Sequence, residues 1–438
     1  MKPRRNRKTG YYLVAVLLMV LASRPVTAQE SLGLREAISI ALEHNHGIST
    51  ARLAQQQADN NNTVAEAGFL PRVDVGAGYS TNELQIRQEL ADGRLILRNG
   101  ANSQLTEGEA ILTWTLFDGL VMFSRKERLV AEAETARLQL RLSMETTIGE
   151  VIAAYFAVRV EEDRINALDE LLGVDSIRVA LAEMRLLNGS GARPDFLQAS
   201  ISRNMHRAEK MELISALAGH RERLNLLLGR KPDVEFFTTD SITLQDIRID
   251  ESGRDNDVNL LLSRQQKRTA FQWLQEAKGG RYPTLNFNAS YRYTRTDNEA
   301  GFLLENRNSG PGYGFTLRWN LFDGLRTSRI VKNAGLQLQA ATLLEEQAMN
   351  NRLREERLQQ RRFDFLREQA RLDEDAVKWS RENLDIAVER MRSGLSSALE
   401  LQEAERSYRE AVTRCTVSLY NAKLSETEVL RLRGELVK

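Results

Sequence analysis

Four short stretches of this chain alternate apolar and polar residues, and each pair of them opens onto a very long charged stretch without proline. In 284–294, Leu285, Phe287, Ala289, Tyr291 and Tyr293 alternate with Thr284, Asn286, Asn288, Ser290, Arg292 and Thr294. In 315–321, Phe315, Leu317, Trp319 and Leu321 alternate with Thr316, Arg318 and Asn320. Earlier, Val73, Val75, Ala77 and Tyr79 alternate with Asp74, Gly76 and Gly78, and Leu112, Trp114 and Leu116 with Thr113 and Thr115. Successive side chains of a strand point to opposite faces, so strands with one apolar and one polar face are predicted at about 71–80, 110–117, 283–294 and 314–322. A transmembrane β-barrel with a wet lumen has this pattern; so does a soluble, half-buried sheet.

The long stretches predict helices at about 119–187 and 325–392. Leu336–Ser393 holds neither glycine nor proline over 58 residues and is rich in the strong helix formers Leu, Glu, Arg, Gln and Ala. At 1.5 Å per residue such a helix is roughly 100 Å long. That exceeds the diameter of a globular domain and calls for a coiled coil or a tube. The five prolines after residue 28 (Pro71, Pro194, Pro232, Pro283 and Pro311) fall at proposed strand starts, turns or loops.

The pattern occurs twice. Leu116-Phe117-Asp118-Gly119-Leu120 returns as Leu321-Phe322-Asp323-Gly324-Leu325, an offset of 205 residues. Upstream, 65–80 aligns with 277–292 at an offset of 212, so one connecting loop of the first copy is seven residues longer. Downstream, 185–199 aligns with 390–404 at 205 again, with no residue gained or lost along the helix. The chain therefore divides into a first repeat at 29–230, an equatorial segment at 231–253 and a second repeat at 254–438. Asp118 and Asp323 each precede a long helix, where a carboxylate accepts from orphan N–H groups and complements the dipole. With Gly119 and Gly324 they read as strand–helix joints. Trp114 and Trp319 suit the aromatic positions of a membrane interface.

Residues 1–28 read as a secretory signal peptide, with a basic start, a 12-residue apolar run (Tyr11–Ala22) and Val26-Thr27-Ala28 before Gln29. Without it the chain carries 55 Lys+Arg against 60 Asp+Glu, a net charge of −5 that argues against a nucleic-acid partner. The single cysteine, Cys415, reads as a small core residue. His44 and His46 point away from each other on a helix and make no metal site, and His206 and His220 read as isolated surface residues. No catalytic constellation, cofactor site or metal site is expected, and so no enzyme. Four strands cannot close a channel-bearing barrel, and lipid tolerates no open sheet edge, so a membrane reading requires an oligomer.

These residues together resemble the TolC-like outer-membrane efflux ducts of Gram-negative bacteria. The resemblance rests on LGLREAISIALEHN (32–45), the paired W-x-L-F-D-G segments (114–119 and 319–324) and the paired glycine turns, each followed by an acidic residue and alanine. It implies a mainly α fold with a transmembrane β-barrel: a homotrimer sharing a 12-stranded barrel in outer-membrane lipid, continued by a 12-helix periplasmic α-barrel. Tips at 188–194 and 393–398, with Gly189, Ser190, Gly191, Gly394, Leu395 and Ser396, would dock a periplasmic adaptor protein serving an inner-membrane RND, ABC or MFS transporter. The pore constriction would fall at Glu400 and Glu403, with Asp195 as the first-half counterpart. The duct would conduct cargo passively, in efflux or type I secretion. His46 stands where the family often has proline, and Ser396 where some members carry a basic lock residue. The alternative from the residues alone is a secreted coiled-coil structural or adhesion protein with a soluble β domain.

Overall fold

The computed structural model describes residues 30–248, 256–395 and 397–436. The signal peptide at 1–28, positions 249–253 of the equatorial segment and Ser396 lie outside the described residues. The chain forms two compact units. Of the described residues, one unit contains those within 30–46, 146–247 and 361–428; the other contains those within 47–145, 248–360 and 429–436.

In chain order the elements are β1 (Glu30–Leu32), α1 (Leu34–His44), α2 (His46–Asn61), β2 (Arg72–Glu89), β3 (Leu95–Phe117), α3 (Val121–Leu187), α4 (Arg193–Leu227), β4 (Phe236–Thr238), α5 (Val258–Gly279), β5 (Thr284–Asn298), β6 (Glu305–Arg318), α6 (Arg326–Arg392) and α7 (Ala398–Leu432). The helices of the two repeats match in length, 67 residues for α3 and α6 and 35 for α4 and α7. Val121 to Arg326, Leu187 to Arg392, Arg193 to Ala398 and Leu227 to Leu432 are all offset by 205.

The second unit holds an antiparallel sheet in the order β2-β3-β5-β6. Its register carries the apolar alternation across all four strands: Val73, Leu112, Ala289 and Tyr313 form one row, and Val75, Ala110, Tyr291 and Pro311 the next. The row after it, Gly76, Glu109, Arg292 and Gly310, belongs to the polar face, where Arg292 pairs with Glu109 at 3.0 Å. The strands differ from the expected bounds. β2 and β3 run to Glu89 and back from Leu95, because Asp92-Gly93 closes a hairpin with Gly93 at φ 82. β6 starts at Glu305 and stops at Arg318, so Trp319 and Leu321 lie beyond it. Pro311 is therefore inside a strand rather than before one; β6 is an edge of this sheet, where a missing N–H is tolerated. Pro194 lies in the first turn of α4, where its lost N–H had no helical partner.

The first unit is built on α3, α4, α6 and α7. Leu168 and Leu171 of α3 pack with Leu384, Ala387, Val388 and Met391 of α6 and Leu401, Ala404 and Tyr408 of α7. In the same unit β1 pairs in parallel with β4. The buried Tyr155 hydroxyl fastens this pair, lying 2.9 Å from the Leu32 carbonyl and accepting from the N–H groups of Thr239 and Asp240. Cys415 is buried, and burial pushes its thiol up to about 11.

Candidate functional site

Each joint passes from strand to helix through two consecutive left-handed residues. Gly119 (φ 74) and Leu120 (φ 69) precede α3, and Gly324 (φ 65) and Leu325 (φ 64) precede α6. The leucines are the only non-glycine residues with positive φ among the described residues, a conformation costing about 1–2 kcal/mol at a residue with a Cβ. In both joints the aspartate caps the helix start. Asp118 Oδ1 accepts from the Met122 N–H at 3.1 Å, and Asp323 Oδ2 accepts from the Thr327 N–H at 2.8 Å and the Thr327 hydroxyl. The Thr327 bonds hold the Asp323 carboxyl below its ordinary range. Gly119 is irreplaceable on a second count, since a Cβ there would meet the Gly279 carbonyl oxygen at 2.5 Å.

The tryptophans have a role that sequence reasoning missed. Trp114 Nε1 donates to the Phe69 carbonyl at 2.9 Å, and Trp319 Nε1 to the Arg281 carbonyl at 3.1 Å. Phe69 and Arg281 are equivalent in the repeat, offset by 212. Each indole thus ties the far end of a strand hairpin to the segment that enters it.

At the glycine turns, α3 and α6 end in the same cap. Gly189 (φ 69) and Gly394 (φ 74) take the left-handed position, and Ser190 and Leu395 donate back to the carbonyls of Arg185 and Arg390 at 2.9 and 2.8 Å. Ser190, Gly191 and Leu395 are exposed or nearly so. Asp195 lies in the first turn of α4 and lines a cavity of about 240 Å³ with Arg178, Arg185, Met391 and Ser397. Glu400 sits in the first turn of α7, 3.2 Å from Arg390. Glu403 lines a second cavity of about 290 Å³ with Ser202, His206, Glu405 and Arg409. Within one chain, then, the three acidic residues do not form a cluster.

His206 corrects an expectation. Far from a surface residue, it is buried, with Nδ1 2.7 Å from Asp175 Oδ2, and that bond raises its pKa above the ordinary histidine value. Beside it, Arg178 pairs with the buried Glu405 at 3.4 Å. Burial pushes the Glu405 carboxyl up to about 7. In a chain so rich in charged helix residues, nothing in the sequence separates these four from solvated ones.

Among the described residues no group of His, Cys, Asp and Glu is placed to hold a metal ion, and no helix is long and apolar enough to cross a membrane. No curated protein sequence matches the chain significantly. Solved structures do match. The outer membrane protein VceC of Vibrio cholerae aligns at 18% identity and TM-score 0.72, over 92% of this chain and 96% of that one. The CmeC outer membrane channel of Campylobacter jejuni aligns at 15% identity and TM-score 0.78, over 92% and 85%. The open-state MtrE outer membrane channel of Neisseria gonorrhoeae aligns at 18% and 0.71, over 92% and 89%. The fold is that of TolC-like channels. The family model for outer membrane efflux protein matches residues 37–230 and 252–434, and the chain belongs to that family.

Proposed function

We propose that this protein is the outer-membrane exit duct of a tripartite efflux or type I secretion system, without enzymatic activity of its own. One observation carries the oligomeric duct: β2 and β6 each keep a free edge in the four-stranded sheet. Apolar rows run across that sheet, and an open edge facing lipid would strand a row of backbone N–H and C=O groups. Three copies joined β6 to β2 give a 12-stranded barrel in the outer membrane, with the long helices forming the periplasmic tube. The Gly189–Gly191 and Gly394–Ser396 tips are its adaptor-docking end, and an RND, ABC or MFS transporter of the inner membrane supplies the energy.

In that assembly Glu400, Glu403 and Asp195 from three copies surround the axis. A ring of carboxylates attracts cations and repels anions. Arg390 already offsets Glu400, so Glu403 has the larger effect. Three measurements test the reading. Outer-membrane fractions should yield a heat-modifiable, detergent-stable trimer; a water-soluble monomer refutes the duct. In planar bilayers, Glu400→Ala with Glu403→Ala should raise basal conductance or weaken block by divalent cations. Unchanged conductance and block would remove both residues from the constriction. Cross-linking from Ser190 or Ser397 should capture the adaptor.

A further inference from the structure

The first unit contains a buried charge cluster that the duct reading leaves unused. Asp175 and Arg178 come from α3, His206 from α4 and Glu405 from α7, and they are 0%, 5%, 7% and 3% exposed. His206 Nδ1 meets Asp175 Oδ2 at 2.7 Å, and Arg178 Nη1 meets Glu405 Oε2 at 3.4 Å. The other oxygen of each carboxylate, Asp175 Oδ1 and Glu405 Oε1, is buried without a hydrogen-bond partner.

The charges do not balance without a proton. Two carboxylates face one permanent cation, so with His206 neutral and Glu405 ionised the buried set carries a charge of −1. One added proton, on His206 or on Glu405, makes it neutral. On Glu405 it also gives that residue's partnerless oxygen a proton to donate. Burial strongly disfavours an uncompensated charge, so the packed arrangement retains a proton that solvated side chains would release.

The surrounding groups do not remove the imbalance. On α4, Glu209 pairs with Arg409 of α7 at 3.2 Å, partly exposed. Arg406 of α7 pairs with Glu410, and Glu403 of α7 is exposed. On α6, Arg381 is turned to Glu170 of α3 and Arg390 to Glu400 of α7. Glu170 also accepts from the Tyr408 hydroxyl at 2.8 Å.

We infer that Asp175, Arg178, His206 and Glu405 form a proton-dependent latch that fastens α7 to α3 and α4, so that packing of α7 takes up a proton and its release gives one up. α7 carries Glu400 and Glu403 within its first two turns, ahead of the latch residue Glu405. The latch is thus placed to set how firmly the tip end of α7 is held. Glu405 sits near 7 when packed, against an ordinary 4.5. A carboxyl raised on packing favours the packed state below its ordinary value, and that advantage is lost as pH rises through the packed value. Acid therefore tightens the latch and neutral pH loosens it. The raised His206 acts in the same sense.

Hydrogen exchange of the full-length protein in nanodiscs tests this, using the amides of 398–410 corrected for intrinsic exchange. Protection in the native protein should fall about tenfold per pH unit between roughly pH 5 and 7, the slope of one proton, and level off above. Glu405→Gln, which keeps the shape and cannot ionise, should flatten the slope to the part that His206 carries and leave protection higher than in the native protein at pH 8. Protection independent of pH in the native protein, or a slope that Glu405→Gln does not flatten, overturns the latch. The native slope decides by itself if the variant does not assemble. The readout depends only on the packing of α7, so it is separate from any result on the pore.

Discussion

Gly119 and Gly324 occupy the same place in the two joints, yet their surroundings differ, and the difference predicts an assembly defect. Alanine at Gly119 would hold a Cβ at φ 74, costing about 1–2 kcal/mol. That Cβ would lie 2.5 Å from the Gly279 carbonyl oxygen and 2.9 Å from Tyr282 Cβ. Neither is the end of a flexible side chain, and such overpacking adds about 1–3 kcal/mol. Gly119→Ala should therefore cost roughly 2–5 kcal/mol. Gly324→Ala meets nothing within 4 Å in the chain and should cost only the backbone part.

The repeat says what belongs there. Gly279 and Tyr282, offset by 212, correspond to Ala67 and Leu70, just ahead of β2. If β6 of one copy pairs with β2 of the next, the carbonyl of Ala67 in that neighbouring copy takes the place opposite Gly324. Gly324→Ala then costs as much as Gly119→Ala, but as lost trimer stability. The assay is the yield and heat-dissociation temperature of trimers from outer-membrane fractions. Gly93→Ala is the control, since Gly93 is also left-handed (φ 82) with nothing within 4 Å and lies in a hairpin turn. Gly324→Ala trimers that dissociate no earlier than Gly93→Ala trimers would refute the reasoning.

Two further outcomes follow from local geometry. Tyr155→Phe leaves the N–H groups of Thr239 and Asp240 without their hydroxyl acceptor and should cost about 1–3 kcal/mol, read as faster proteolysis of residues 231–248; unchanged cleavage would mean that the hydroxyl is not what fastens β1 and β4. Asp323 is held below its ordinary 3.8 by Thr327, so its cap is present above that value and is lost as pH falls through the lowered one. Exchange at the Thr327 amide should rise in that acid range, and Asp323→Asn should abolish the step.

What was legible in the sequence was whatever repeats or alternates. The alternation in 284–294 and 72–80 gave strands whose apolar residues do fall in common rows, and the constant offset of 205 gave helices that match end for end. What was missed lacks a local signature. Residues 81–109 alternate poorly, so β2 and β3 were expected to be short, although Asp92-Gly93 is a hairpin turn signal. The left-handed Leu120 and Leu325 look like ordinary leucines. Glu405 and Asp175 look like any carboxylate on a charged helix, because burial across three helices is a property of the packing. His206 was misread for the same reason.

The uneven spacing of the repeat has a mechanical cause. The copies differ by seven residues between Tyr79 and Leu112, which is the hairpin of β2 and β3, and by none from Val121 to Leu227. A residue inserted into a helix rotates everything beyond it by about 100° and advances it by 1.5 Å. In α3 that would turn Asp175 and Arg178 away from His206 and Glu405 and shift Leu168 and Leu171 out of their packing with α6 and α7. Residue pairs added to a hairpin lengthen two strands, an odd residue is taken up by the register shift between Leu84 and Ile86, and the register behind it is kept. The helices of both copies must meet in one set of contacts, so their lengths are locked together, while the hairpin ends answer to no such partner. The doubled Leu-Phe-Asp-Gly joint is where these two regimes meet. It fixes the helix start with a capped pair of left-handed residues, so that changes in hairpin length are not passed on to the helical register.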